Sequence, residues 1–124
     1  MRKVCALEGA EDGVLFGSGM AAISTTLLTL LQAGDHAVLQ DDLYGGTHAF
    51  VAELFQRLGI AFDFVGLTPA EIEGALTPKT KVIFLESPTN PLLHVVDLRP
   101  AWQAHSSVLR SGCGIQACHM TPPR

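Results

Sequence analysis

Three observations predict an α/β domain built on a mostly parallel sheet. Apolar strand candidates alternate with helical stretches, the connections between them are short, and loops rich in glycine and proline follow the strands. Strands and helices in that rhythm form a parallel sheet with helices on its faces. Taken in order, Val4 to Leu7 reads as the end of a helix closed near Gly9, and Val14–Phe16 as a short strand. Ser18 to Leu31 is helical, with Met20, Ile23, Leu27, Leu30 and Leu31 along one face, and Ala33-Gly34-Asp35 ends it. His36–Gln40 is a second strand. Gly46 to Leu58 is a helix carrying Phe50, Leu54 and Leu58, stopped by Gly59. Ile60–Val65 is a third strand, and Pro69 to Leu76 a short helix with proline in its first turn. Lys81–Glu86, nearly all apolar, is a fourth strand.

The 124 residues fit one domain, long enough to bury about two-thirds of its unfolded surface. A hydrophobic share of 48% with 16% charged residues suits strands buried on both faces. The net charge of −4, with no basic cluster, argues against nucleic acid as a partner. No apolar run reaches transmembrane length, and Met1-Arg2-Lys3 leads into no signal-peptide core. Cys5, Cys113 and Cys118 make no disulfide framework, so the expected compartment is the cytoplasm. Cys113, Cys118 and His119 lack a second pair of ligands at zinc spacing, and no metal is expected.

Chemistry concentrates in three loops. Gly17-Ser18-Gly19-Met20-Ala21-Ala22 joins a strand candidate to a helix. Small residues there let backbone N–H groups approach a ligand, and the helix start favours an anion such as a phosphate. Ordinary capping of the helix by Ser18 accounts for the same residues without a ligand. Asp42-Leu43-Tyr44-Gly45-Gly46-Thr47 holds the only tyrosine, whose face can stack on a pyridine ring and whose phenol can exchange a proton. A half-buried core tyrosine is the simpler account. Phe84-Leu85-Glu86-Ser87-Pro88-Thr89-Asn90-Pro91 places Asn90 between two prolines, where its amide can donate to a ring oxygen. An Asx-turn at Asn90 and a solvated strand end at Glu86 are the alternatives. Among the histidines, His36 reads as a satisfied imidazole within a strand, whereas His94 follows the Asn-Pro loop closely enough to face a site there. Asp41 and Asp42 are adjacent in an extended stretch and point apart, so they read as loop or capping carboxylates.

The order and spacing of these loops, from about Leu7 to Leu98, resemble the pyridoxal-phosphate (PLP) enzymes of cysteine and methionine metabolism. That family includes the cystathionine γ-synthases, cystathionine γ-lyases and methionine γ-lyases. The resemblance implies an incomplete three-layer sandwich, part of the large domain of an aspartate-aminotransferase-like, fold type I enzyme. It implies PLP as cofactor, with Ser18, Gly19 and Met20 at the phosphate, Tyr44 stacked on the ring as the catalytic residue, Asn90 at the ring oxygen and Glu86 in the pocket. It also implies an amino-acid substrate whose carbon–sulfur bond is made or broken by γ-elimination or γ-replacement, and a homo-oligomer of the tetramer-of-dimers type.

Other parts of the family's pattern do not occur in these residues. Lys3, Lys79 and Lys81 are the lysines, and none lies in the Ser-x-Thr-Lys stretch whose lysine carries the cofactor as a Schiff base. The aspartate for the pyridine nitrogen and the Tyr-x-Arg phosphate segment from a neighbouring subunit are likewise missing. Residues 101–124 hold no Asp or Glu, although the first 100 contain all 12, and they carry two of the three cysteines and the only Trp. The expected organisation is a partial PLP-binding domain at 1–100 followed by a non-family tail at 101–124 from a frameshift or mis-splice, with a genuine extension as the alternative. Such a chain is expected to be inactive alone. Its Val14–Phe16 strand would lack a partner, and Lys81–Glu86 would form an apolar edge that the tail does not cap, giving an insoluble or partly molten chain. The competing readings are a non-catalytic product and a nucleotide-binding α/β domain. The latter is disfavoured because the glycine turn lacks its third glycine, although Asp41 or Asp42 lies where a ribose-binding acid would.

Overall fold

The computed structural model describes residues 2–8, 11–95 and 115–117. In order, the elements are α1 (Arg2–Glu8), α2 (Gly19–Leu30), β1 (His36–Gln40), α3 (Gly45–Leu58), β2 (Ala61–Val65), α4 (Pro69–Ala75), β3 (Thr80–Glu86) and β4 (Ile115–Ala117). The four strands form one sheet in the order β2-β1-β3-β4, and every adjacent pair is parallel.

Strand periodicity explains the layering. Successive side chains of β1 and β3 point to opposite faces, and both sets are apolar. Ala37, Leu39, Val82 and Phe84 pack with Leu27 and Leu31 at the end of α2 and with Val51 and Phe55 of α3. Val38, Ile83 and Leu85 face the other way and pack on Ile72 of α4. Helices therefore cover both faces, as a three-layer sandwich requires. At the margin by β2, Phe62 lies edge-on between Phe55 and Phe64, and the His48 ring stacks on Phe64 at 4.2 Å.

Local chemistry sets the helix limits. Ser18 caps α2 by accepting from the Ala21 N–H at 3.1 Å. Thr68 and Glu71 form a reciprocal capping box at α4, with Pro69 opening the helix. Gly59 ends α3 in the left-handed conformation at φ 69°, which only glycine enters without strain. Its carbonyl accepts from the N–H of Gly34, whose φ is 91°, at 2.8 Å. The amino ends of the strands are pinned by His36, a satisfied buried imidazole as expected. Its Nδ1 lies 2.7 Å from Thr80 Oγ1 and its Nε2 3.1 Å from Asp63 Oδ2.

Two expectations need correction. Val14–Phe16 is not a strand, and Val14 and Leu15 are 75% and 72% exposed. A strand exists only through its ladder, and no described strand pairs with this segment. The β3 edge is also not bare. Ile115–Ala117 pairs in parallel with Phe84–Glu86, and Val82, Ile83, Phe84 and Leu85 are all buried. The tail reading missed this strand because three residues, Ile-Gln-Ala, carry no periodic signal of their own. The helix closure at Gly9 and the readings of Cys113, Cys118 and His119 lie outside the described residues, as does most of 101–124.

Candidate cofactor site

The glycine turn, the Tyr44 loop and the Asn90 loop meet where β1 and β3 end and α2 and α3 begin. Ligands of parallel sheets bind beyond the carboxyl ends of the strands. Two contacts tie the elements together. The Tyr44 N–H donates to Glu86 Oε2 at 3.1 Å, and the Thr47 hydroxyl donates to Met20 Sδ at 3.6 Å.

Ser18 and Gly19 are exposed at the start of α2, and Met20 is half-buried. With the Ala21 N–H taken by the cap, the N–H groups of Gly19 and Met20 remain outside the helix's own bonds, at its positive end. Neither Gly17 nor Gly19 has positive φ, and no heavy atom lies within 4 Å of where a Cβ would stand on either. These glycines therefore leave open space beside the N–H groups and are not required by a positive-φ turn.

Tyr44 is the residue before α3, and its side chain makes no capping bond. It is 46% exposed, outside the buried core, and its ring lies over Gly46. Glu86 is 7% exposed and gives its carboxylate to the Tyr44 backbone, so it is no solvated strand end. Asn90 is half-buried at the tip of a loop that Thr89 closes. The Thr89 N–H donates to the His94 carbonyl at 2.9 Å, and its Oγ1 accepts from the His94 N–H at 3.0 Å. No hydrogen bond among the described residues occupies the Asn90 amide. His94 turns to Asp42, with Nδ1 3.2 Å from Oδ2.

Sequence reasoning passed over Gln40, Thr47 and Thr89, all fully buried. A glutamine as the last residue of an apolar strand is the one signal in the sequence, and it becomes informative only when its partners are known.

A family model for the Cys/Met metabolism PLP-dependent enzymes matches residues 1–122. The chain belongs to this family. It is 49% identical over 96 residues to cystathionine γ-lyase of Bacillus subtilis, covering 77% of this chain and 25% of that protein. It is 46% identical over 101 residues to cystathionine β-lyase of the same organism, covering 81% and 26%. Among solved structures, cystathionine γ-lyase from Lactobacillus plantarum complexed with L-serine superposes with a TM-score of 0.83 at 37% identity, over 91% of this chain and 29% of that one. The chain thus spans about a quarter of the length of these curated relatives.

Members of the Cys/Met metabolism family are PLP-dependent, and the donor set here suits that group. Among the described residues, the amino end of α2 offers free N–H groups for a phosphate, Tyr44 an accessible aromatic face, and Asn90 an uncommitted amide. Among the described residues no helix is long and apolar enough to cross a membrane.

Proposed function

We propose that these residues form the phosphate- and ring-holding part of a PLP-dependent enzyme that makes or breaks carbon–sulfur bonds in amino acids. The observation that carries the reading is the meeting of three loops at one end of the sheet, bonded through Tyr44–Glu86 and Met20–Thr47. Ser18, Gly19 and Met20 bind the phosphate, the Tyr44 ring stacks on the pyridine, and Asn90 donates to its ring oxygen. Glu86 contributes by fixing the Tyr44 backbone. The Tyr44 phenol holds or moves a proton at its oxygen. When bound, the cofactor supplies an electron sink for negative charge at the substrate carbon. Similar proteins include γ- and β-lyases of cystathionine and an L-methionine γ-lyase, and carbon–sulfur cleavage is what they share. The substrate of the whole enzyme is accordingly a cystathionine-, homoserine-ester- or methionine-type amino acid, and the enzyme is a cytoplasmic homo-oligomer.

The 124 residues by themselves are proposed to be inactive, the organisation being a partial domain at 1–100 with a tail at 101–124. Lys79 and Lys81 sit around the start of β3, and Lys81 is about 16 Å along the strand from Glu86 at ~3.3 Å per residue. Lys3 is exposed on α1, well before the glycine turn. None of the three lies in a loop at the carboxyl end of a strand, where the candidate site is built.

Equilibrium dialysis with pyridoxal 5′-phosphate tests the site. Aspartate caps helices as serine does, so Ser18→Asp keeps α2 while setting a like charge against the phosphate. A close charge pair near the surface is strong enough to weaken binding about tenfold or more. Equal affinity of the two proteins, or no binding by the wild type, would overturn the reading. Turnover of cystathionine by the purified chain, lost on Tyr44→Phe, would overturn the inactivity.

A further inference from the structure

Gln40 ends β1 and is fully buried. The β1–β3 ladder stops one residue earlier, at the Leu39–Phe84 pair, and beyond it the strands diverge into the Tyr44 and Asn90 loops. The Gln40 side chain continues the ladder across that gap. Its Oε1 accepts from the Glu86 N–H at 2.8 Å, while its Nε2 donates to the Glu86 carbonyl at 3.1 Å and to the Asp42 carbonyl at 2.6 Å. Glu86 in turn accepts the Tyr44 N–H on its carboxylate at 3.1 Å.

We infer that Gln40 is a positioning residue, whose amide fixes Glu86 and Asp42 and through them sets where Tyr44 presents its ring. Three features support this. The amide joins both diverging strands at once, it needs a donor and an acceptor on one planar group, and each partner leads directly to Tyr44 in sequence or by a hydrogen bond. Ionised glutamate cannot donate there, methionine cannot donate and accepts only weakly, and asparagine is one methylene short. A buried amide also does not exchange these partners for water at low cost. The effect on cofactor binding rests on the PLP reading above; the effect on Tyr44 does not.

Tyr44 is the only tyrosine, so tyrosine labelled with carbon-13 at Cζ gives a single resonance that reports on this residue. In Gln40→Met that resonance is expected to move toward the position of free tyrosine. Affinity for pyridoxal 5′-phosphate in dialysis should fall about tenfold, the scale of leaving buried polar partners unpaired. Phe55→Leu, a core change on the far part of α3, serves as a control for lost stability alone. It should lower the melting temperature while leaving the resonance in place and the affinity within twofold. If Gln40→Met does not fold, Gln40→Glu carries the same comparison, since it keeps the acceptor for Glu86 and loses the donors when ionised. An unchanged resonance in the folded variant, or an equal displacement in Phe55→Leu, overturns the inference. Should the wild type bind no pyridoxal 5′-phosphate, the functional reading fails and the tyrosine resonance alone still decides the role of Gln40.

Discussion

Gly45 and Gly46 look equivalent in the sequence, yet they stand in different surroundings. A Cβ on Gly46 would come within 2.6 Å of Tyr44 Cε1 and 3.3 Å of Cζ, whereas a Cβ on Gly45 would meet nothing within 4 Å. Gly46 is therefore what allows the Tyr44 ring to lie over the first turn of α3. Replacing glycine by alanine inside a helix stabilises it by up to about 1 kcal/mol. Gly46→Ala should hold or raise the melting temperature while displacing the Tyr44 ring, seen as a shifted tyrosine resonance. Gly45→Ala should gain the same stability with the resonance unmoved. Identical spectra for the two variants would show that the ring makes no use of the space at Gly46.

At the scale of elements, α4 carries a titratable start. The Thr68 hydroxyl and then the Thr68 N–H, both donating to the Glu71 carboxylate, hold it below the usual glutamate value of 4.5, against a smaller opposing effect of burial. A folded value below the unfolded one means that the ionised carboxylate stabilises the helix. That contribution is complete above 4.5 and is lost as the pH falls through the lowered folded value. Glutamine also fits the box but does not titrate. Melts of wild type and Glu71→Gln should therefore diverge at neutral pH and converge below the glutamate range, by a small amount because the carboxylate faces solvent. Parallel curves across that range would mean that the box does not couple to folding.

Across the whole molecule, apolar exposure falls away from the sheet. The strand edge expected to be sticky is buried, while Leu7, Val14, Leu15, Leu93 and Val95 are each more than 70% exposed. Side chains this open contribute little to stability but bind apolar dyes when they form a patch. A Val14→Ser, Leu15→Ser double variant should show weaker ANS fluorescence than the wild type at an unchanged melting temperature. A fall of several degrees would reveal that the segment packs on the fold after all.

Local pattern by itself determined the elements whose signals lie within a few residues. The α2 cap at Ser18, the stop at Gly59, the Pro69 start and β1 at His36–Gln40 needed only caps, turn residues and periodicity. The conjunction of three loops was enough to point to the family, and their spacing placed Tyr44 and Asn90 at strand ends. Tertiary structure decided everything that depends on a partner distant in sequence. Val14–Phe16 has strand composition but no ladder, and Ile115–Ala117 has almost no pattern yet pairs with β3. Glu86 and Gln40 gained their meaning in the same way. A carboxylate and an amide at strand ends are ambiguous until the fold sets one 3.1 Å from the Tyr44 N–H and the other across two diverging strands. The reason is physical: caps and turns are satisfied by neighbours along the chain, whereas ladders and buried polar groups are satisfied only by what folding brings to them.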